Sequence, residues 1–303
     1  MIENLDFYQP TIEDLASVIK VIDVTDWGET EADIRRALRN KNNKYFTLIN
    51  REEGFMVGIT LAVSYGNVGF IGHVVTLPEF RNMGLGQELM IEAINLLKFK
   101  GCRTIKLDAV EKAKSLYKRA GFTFEINSLR FKYEINSQED IQKLLDKLNS
   151  VEQQFPVFNT KEDDLSQIFE ADKELFGGNR EDFLLSLFEE FPEYAFITRD
   201  TEEYLAGYLF GTFQNGNLKL KAGISDSYQS TINLIKAAIL TVKDLDDFKV
   251  ISIGLLENSK WGIKAMDELC FKQTSFSLRM YYGERSDASL NPIIFAIGDP
   301  AWG

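Results

Sequence analysis

One stretch of this 303-residue chain has the residue types and spacing to hold an anion: His73-Val74-Val75-Thr76-Leu77-Pro78-Glu79-Phe80-Arg81-Asn82-Met83-Gly84-Leu85-Gly86-Gln87. An apolar run turns at Pro78, and Arg-x-x-Gly-x-Gly then opens an amphipathic segment. The first turn of a helix carries backbone N–H groups without internal acceptors and the positive end of the helix dipole. Glycines at 84 and 86 leave those donors open to a diphosphate. No Gly-Lys-Ser/Thr follows, so this is not a Walker loop. It also lacks the third spaced glycine and the following acidic residue of a dinucleotide-binding turn.

The chain supplies its own control. Shifted by 149 positions it matches itself near both ends: Thr11, Glu13 and Asp14 fall on Thr160, Glu162 and Asp163, Tyr45 on Tyr194, and Gly58 on Gly207. Ser128-Leu129-Arg130 falls on Ser277-Leu278-Arg279, and Tyr133 on Tyr282. One shift shared by distant segments indicates two copies of a single fold. In the second copy Arg81, Gly84 and Gly86 become Ser230, Asn233 and Ile235. The fold therefore tolerates loss of the glycines, and their presence in the first copy points to function.

The elements that must position this loop follow from periodicity. Helices are expected over 11–22, 30–40, 84–99 and 111–120, and strands over 45–49, 55–64, 70–76, 104–109 and 123–133. A linker helix is expected over 137–148, after which the order repeats, with the helix equivalent to 84–99 placed at 232–242. A strand-like tail over 292–297 has no counterpart in the first copy. These readings divide the chain into domains 1–135 and 154–303 joined by residues 136–153. Both are α/β, each with a mixed, mostly antiparallel sheet flanked by helices.

Hydrophobic content of 45% with 26% charged residues describes a globular protein with a real core in each copy. The net charge of −12 falls on the second half, since residues 1–135 carry 18 basic and 18 acidic side chains. That balance argues against nucleic acid as a partner. No apolar run approaches membrane-spanning length, and Met1–Asp6 has no leader character, so a cytoplasmic protein without a membrane partner is expected. Cys102 and Cys270 are the only cysteines, with neither disulfide nor metal-ligand spacing, and no metal is expected.

The strand, the Arg81-x-x-Gly84-x-Gly86 turn and the later Ala113-Lys114-Ser115-Leu116-Tyr117-Lys118-Arg119-Ala120-Gly121-Phe122 together resemble the GNAT superfamily of acyl-CoA-dependent N-acetyltransferases. The resemblance covers nearly all of residues 5–133. The whole chain also looks like a bacterial tandem-GNAT group with a degenerate second domain, whose C-terminal signature is similar to Arg279-Met280-Tyr281-Tyr282-Gly283 and Ile294–Pro300. It implies acetyl-CoA as cosubstrate. Val74, Val75 and Thr76 would offer main-chain groups to the pantetheine arm. Asn82, Met83, Gly84, Leu85, Gly86 and Gln87 would hold the pyrophosphate, helped by Arg81. Tyr117 matches the tyrosine that many members aim at the thioester sulfur, where it can protonate the departing thiolate.

This sequence departs from the family pattern at Val110, where asparagine is frequent, and at Phe70, where many members place a glutamate base. His73, the lone histidine, is a candidate base in its stead, although a histidine on a buried strand also reads as structural. Tyr117 also reads as a core aromatic, but its mate in the second copy is Met266, so packing there does not require a hydroxyl and the catalytic reading is favoured. Trp27 and Glu29 lie between the first two helices, where GNAT folds border the acceptor, and Tyr65 ends the strand just before the CoA strand pair; each is a candidate for substrate contact or for packing. The implied activity is acetyl transfer to the primary amine of a small molecule or peptide by direct attack, in a monomer or homodimer. The alternative is a non-catalytic acyl-CoA sensor.

Overall fold

The computed structural model describes residues 5–25, 27–152, 155–243 and 247–303. Met1–Asn4 of the leader reading, and Gln153 and Gln154 at the expected domain boundary, lie outside them. The chain forms two compact units. The first comprises the described residues up to Glu125 together with Arg279–Arg285 and Ala301–Gly303; the second comprises Ile126–Leu278 and Ser286–Pro300.

In the first unit the sheet runs β1 (Leu5–Tyr8), β2 (Asn43–Asn50), β3 (Met56–Ser64), β4 (Val68–Thr76) and β5 (Thr104–Ala109), followed by the end of β12 (Lys272–Gly283). Pairing is antiparallel from β1 to β4 and parallel between β4 and β5. Helix α3 (Leu85–Phe99) covers one face with Leu85, Leu89, Ala93 and Leu97 buried. Its close approach explains two glycines. A Cβ on Gly58 would stand 3.1 Å from Leu89, and one on Gly69 2.9 Å from Leu97. The opposite face carries α1 (Leu15–Ile22) and α2 (Glu31–Arg39). Thr30 caps α2: its hydroxyl accepts the Asp33 N–H, and the Asp33 carboxylate accepts the Thr30 N–H, both at 3.2 Å. Helix α4 (Lys114–Arg119) links β5 to β6 (Thr123–Glu134).

The second unit repeats the plan with α5 (Gln138–Asn149), β7 (Val157–Asn159), α6 (Glu162–Phe176), α7 (Glu181–Glu190), β8 (Ala195–Arg199), β9 (Leu205–Gln214), β10 (Asn217–Ser225), α8 (Tyr228–Thr241), β11 (Val250–Leu256), α9 (Lys260–Glu268) and β13 (Ile294–Ala296). Gly207 repeats the role of Gly58, since its Cβ would stand 3.2 Å from Leu234 of α8. Helix α5, expected as a linker, buries Ile141, Leu144 and Leu148 in this unit's core. Two further departures concern the site. Helix α8 begins at Tyr228 rather than Ile232, and the closing strands change places. Most of β6, from the first copy, belongs to the second unit, and Arg279–Gly283 of β12 belongs to the first.

Candidate functional site

The parallel register of β4 and β5 covers only Val68, Gly69 and Phe70, opposite Thr104, Ile105 and Lys106. Beyond Phe70 the two strands part, so Ile71–Thr76 presents a strand edge without a β5 partner. On its other edge β4 pairs with β3, but Gly72 faces Leu61 and Val75 faces Ile59, leaving His73 and Val74 opposite Thr60 alone. This is a β-bulge, and His73 takes φ 48°, a conformation uncommon for a residue with a side chain. Bulges re-aim side chains. Here the His73 ring joins Tyr45, which shares a sheet face with Leu61 and Gly72.

From Thr76 the chain bends through a short 3-10 turn at Pro78–Phe80, and α3 starts at Leu85 with Gly84 as its cap at φ 84°. Gln87 and Glu88 are the first whose N–H groups reach an acceptor in the turn, the Gly84 carbonyl. The donors ahead of them face outward from the helix start. A Cβ added at Gly84 would meet nothing within 4 Å, and one at Gly86 would meet only Thr76 Oγ1 at 3.7 Å and Val74 Cγ1 at 4.0 Å. The space beside the donors is thus open and borders the free β4 edge. Asn82, at φ 66°, and Arg81 are exposed, and Arg81 Nε donates to the Thr76 carbonyl at 3.2 Å. Met83, Leu85 and Gln87 follow the same turn, with Leu85 buried as the first core residue of α3. Cradle and strand edge therefore lie side by side, as a diphosphate with an extended arm requires.

On the α1/α2 face the structure joins three of the singled-out residues. The Tyr45 hydroxyl is 2.7 Å from His73 Nδ1, and His73 Nε2 is 3.3 Å from Glu29 Oε1. Trp27 and Tyr45 both stack on the imidazole, at 6.1 and 5.8 Å between ring centres. A carboxylate partner fixes the proton on Nε2, so Nδ1 accepts from the Tyr45 hydroxyl in the neutral ring. Both ring nitrogens are thus engaged within the unit. Glu29, with a side chain only 6% exposed, also lines a cavity of about 340 Å³ with Ile22, Asp23, Thr25 and Gly28. That volume lies within the roughly 300–1,000 Å³ of small-molecule sites. Phe70, where many relatives are expected to carry glutamate, is fully buried beneath the Arg279 guanidinium, 5.3 Å from its ring. Arg279 in turn donates to Asp108 at 2.7 Å, a buried pair.

Two candidates sit apart from this group. Tyr117 is buried on α4, edge-on to Phe122, which packs on Tyr282. Burial pushes its hydroxyl up to about 12, so it holds its proton at any physiological pH. Tyr65 is buried, and its hydroxyl donates to the Trp302 carbonyl at 3.0 Å. Sequence reasoning missed Tyr45, because its match with Tyr194 reads as shared packing. It also missed Gly72, although a glycine inside an apolar strand is a signal of close approach.

The second unit shows how the same frame looks without a cradle. Strand β10 and β11 pair in parallel over Asn217–Leu220 and then part, as β4 and β5 do. The gap is filled by β13. Gly223 and Ile224 pair with Ala296 and Ile294, the Ser225 N–H donates to the Ile293 carbonyl at 3.0 Å, and Ile297 bridges to Gly254 of β11. Phe295 is fully buried, and a Cβ on Gly223 would stand 2.7 Å from its ring. Beyond β10, Ser227 caps α8 directly, so Ser230 and Asn233, the mates of Arg81 and Gly84, are helical and buried. Strand edge and helix start are both consumed by the protein itself.

The chain is similar to known proteins in sequence and in fold. Residues 12–122 match the acetyltransferase (GNAT) family. A 63-residue stretch is 35% identical to the glucosamine 6-phosphate N-acetyltransferase of Trypanosoma brucei brucei, over 21% of this chain and 43% of that protein; the chain thus spans less than half the length of this curated relative. A crystal structure of a putative acetyltransferase from Pyrococcus horikoshii superposes with TM-score 0.75 at 15% identity, over 99% of this chain and 96% of the other. A tandem GNAT protein from the clavulanic acid biosynthesis pathway superposes with TM-score 0.65 at 14% identity, over 93% and 100%. The GNAT match thus lies within the first unit, and over most of its length the chain shares the fold of a tandem GNAT protein.

Proposed function

We propose that the first unit transfers an acetyl group from acetyl-CoA to a primary amine. The observation that carries this reading is the contrast between the units: an open amide cradle beside a free strand edge in one, the same place filled by β13 and helix in the other. Acetyl-CoA supplies the acetyl group as a thioester. The N–H groups around Asn82–Gly86 and the α3 dipole would hold its diphosphate, with Arg81 adding charge. The β4 edge over Val74–Thr76 would align the pantetheine arm. Placing amine and thioester together supplies most of the acceleration expected of such a site.

The proton leaves the acceptor amine through Glu29. This carboxylate lines the cavity and is held by His73, which Tyr45 and Trp27 fix in turn. A carboxylate that is both a cation anchor and a base suits an amine arriving protonated: it takes one proton and passes it to water before attack, then takes the second as the N–C bond forms. As the N–C bond forms and the C–S bond breaks, Tyr117 donates its hydroxyl proton to the departing thiolate and recovers one from solvent. A primary amine as acceptor is supported by the stretch shared with the glucosamine 6-phosphate enzyme. The test is to mix the protein with acetyl-CoA and a panel of primary amines and follow free thiol. Amine-dependent release is expected; release no faster than without protein, for every amine, refutes the reading.

A further inference from the structure

We infer that the acceptor is a dication: a primary amine that carries a second ammonium group a short methylene chain away, held by Asp23. The inference rests on the acetyl-transfer reading and names the substrate class which that reading leaves open. Among the described residues, the cavity beside Glu29 is lined by Ile22, Asp23, Thr25, Gly28 and Glu29, so its charged groups are two carboxylates and none is basic.

The two acids stand at different depths. Glu29 is buried and anchored through Oε1 to His73, whereas Asp23 is exposed. Asp23 caps the carboxyl end of α1, its N–H donating to the Ile19 carbonyl at 2.8 Å. A helix ends in carbonyl oxygens that lack donors and in the negative end of its dipole. An aspartate placed there adds to that charge instead of offsetting it, and Ile22 and Asp23 bring this helix end into the cavity lining. Thr25 has the same polarity. Its hydroxyl donates to the Ile22 carbonyl at 2.7 Å, so toward a ligand its oxygen can only accept. Carboxylates, helix end and hydroxyl therefore all favour a cation, and a cleft lined by one sign of charge concentrates its field. Ile22 is the apolar member of the lining and suits a methylene spacer. The reacting amine would lose its protons to Glu29, while the second ammonium keeps its charge at Asp23. A phosphate finds no basic partner in this lining, so the sugar phosphate for which the Trypanosoma brucei brucei enzyme is named has the wrong charge for it.

Free-thiol release from acetyl-CoA is followed with putrescine, with n-butylamine, which has the same carbon chain but one nitrogen, and with glucosamine 6-phosphate. The full chain is expected to favour putrescine over n-butylamine by about three- to fivefold in kcat/KM per amino group, chiefly through KM, the worth of a partly exposed ion pair. Added salt should erode that preference, because Asp23 is open to screening. Asp23→Asn should abolish it, Asp23→Glu should retain it, and glucosamine 6-phosphate should be the poorest of the three acceptors. Equal rates per amino group for putrescine and n-butylamine in the full chain refute the dication while acetyl transfer stands. A preference that survives in Asp23→Asn, or glucosamine 6-phosphate reacting fastest, does the same. If no amine releases thiol, the acetyl-transfer reading falls and this inference with it.

Discussion

The Tyr45 hydroxyl lies 2.7 Å from Nδ1 of His73, on the side of the ring away from Glu29. This bond fixes the imidazole with its other nitrogen toward the carboxylate. On the acetyl-transfer reading, Glu29 rather than His73 would then meet the acceptor. Glu29→Gln should lower kcat/KM at pH 7 by about 10²–10⁴-fold, the worth of a positioned base. The deficit should shrink as pH rises, because an amine that sheds its proton in solution no longer needs one removed. A pH–rate profile parallel to wild type would exclude Glu29 as the base.

Tyr45→Phe tests the same chain from its far end. It leaves Nδ1 buried without its donor, a loss of about 1–3 kcal/mol in stability by denaturant titration. Its kcat should fall less than that of Glu29→Gln, since Tyr45 acts only through His73.

Tyr117 separates an enzyme from a coenzyme sensor. Tyr117→Phe should depress kcat by about 10²-fold through loss of the acid, with calorimetric affinity for coenzyme A nearly unchanged. Unaltered thiol release would move Tyr117 from chemistry to packing.

The same residue couples folding to alkaline pH. Its folded value is raised from 10.0 to about 12 by burial. Its contribution is therefore whole below pH 10 and shrinks as pH rises toward 12, where the unfolded chain ionises first. The loss at pH 11 is on the order of 1 kcal/mol for this one group. Tyr208, buried and raised well above 10.0, adds to the trend. Thermal melts of wild type should fall faster than those of Tyr117→Phe between pH 9.5 and 11; parallel curves would contradict the assignment.

Gly86→Glu places a carboxylate where a Cβ now meets open space between Thr76 and Val74. Coenzyme binding should vanish by calorimetry while the melting temperature changes little. Preserved heat would locate the diphosphate elsewhere.

Much of the frame was legible because it is periodic. Apolar residues at helical spacing marked α3, alternation and turn chemistry marked β2 to β5, and the 149-residue shift marked the duplication. The cradle could be read because two glycines at a helix start have a physical reason, and the second copy showed that packing does not need them. Three things escaped. The His73 bulge depends on strand register, which side-chain types do not encode. The early start of α8 escaped because Ser227-x-x-Ser230 is a weaker cap signal than the apolar run behind it. The placements of β13 and of Trp302 are long-range: Phe295 meets Gly223 and Tyr65 meets Trp302 across 72 and 237 positions of chain. No local pattern announces such pairs.

The exchanged closing strands bear on synthesis. The first unit includes Arg279–Arg285 and Ala301–Gly303, so a ribosome that has finished Glu125 has not yet made all of that unit. Asp108 must wait for Arg279, and Tyr65 for Trp302. The amino-terminal half, although translated first, is completed last, and a nascent chain halted at the internal duplication boundary would leave two buried-type polar groups exposed to quality control.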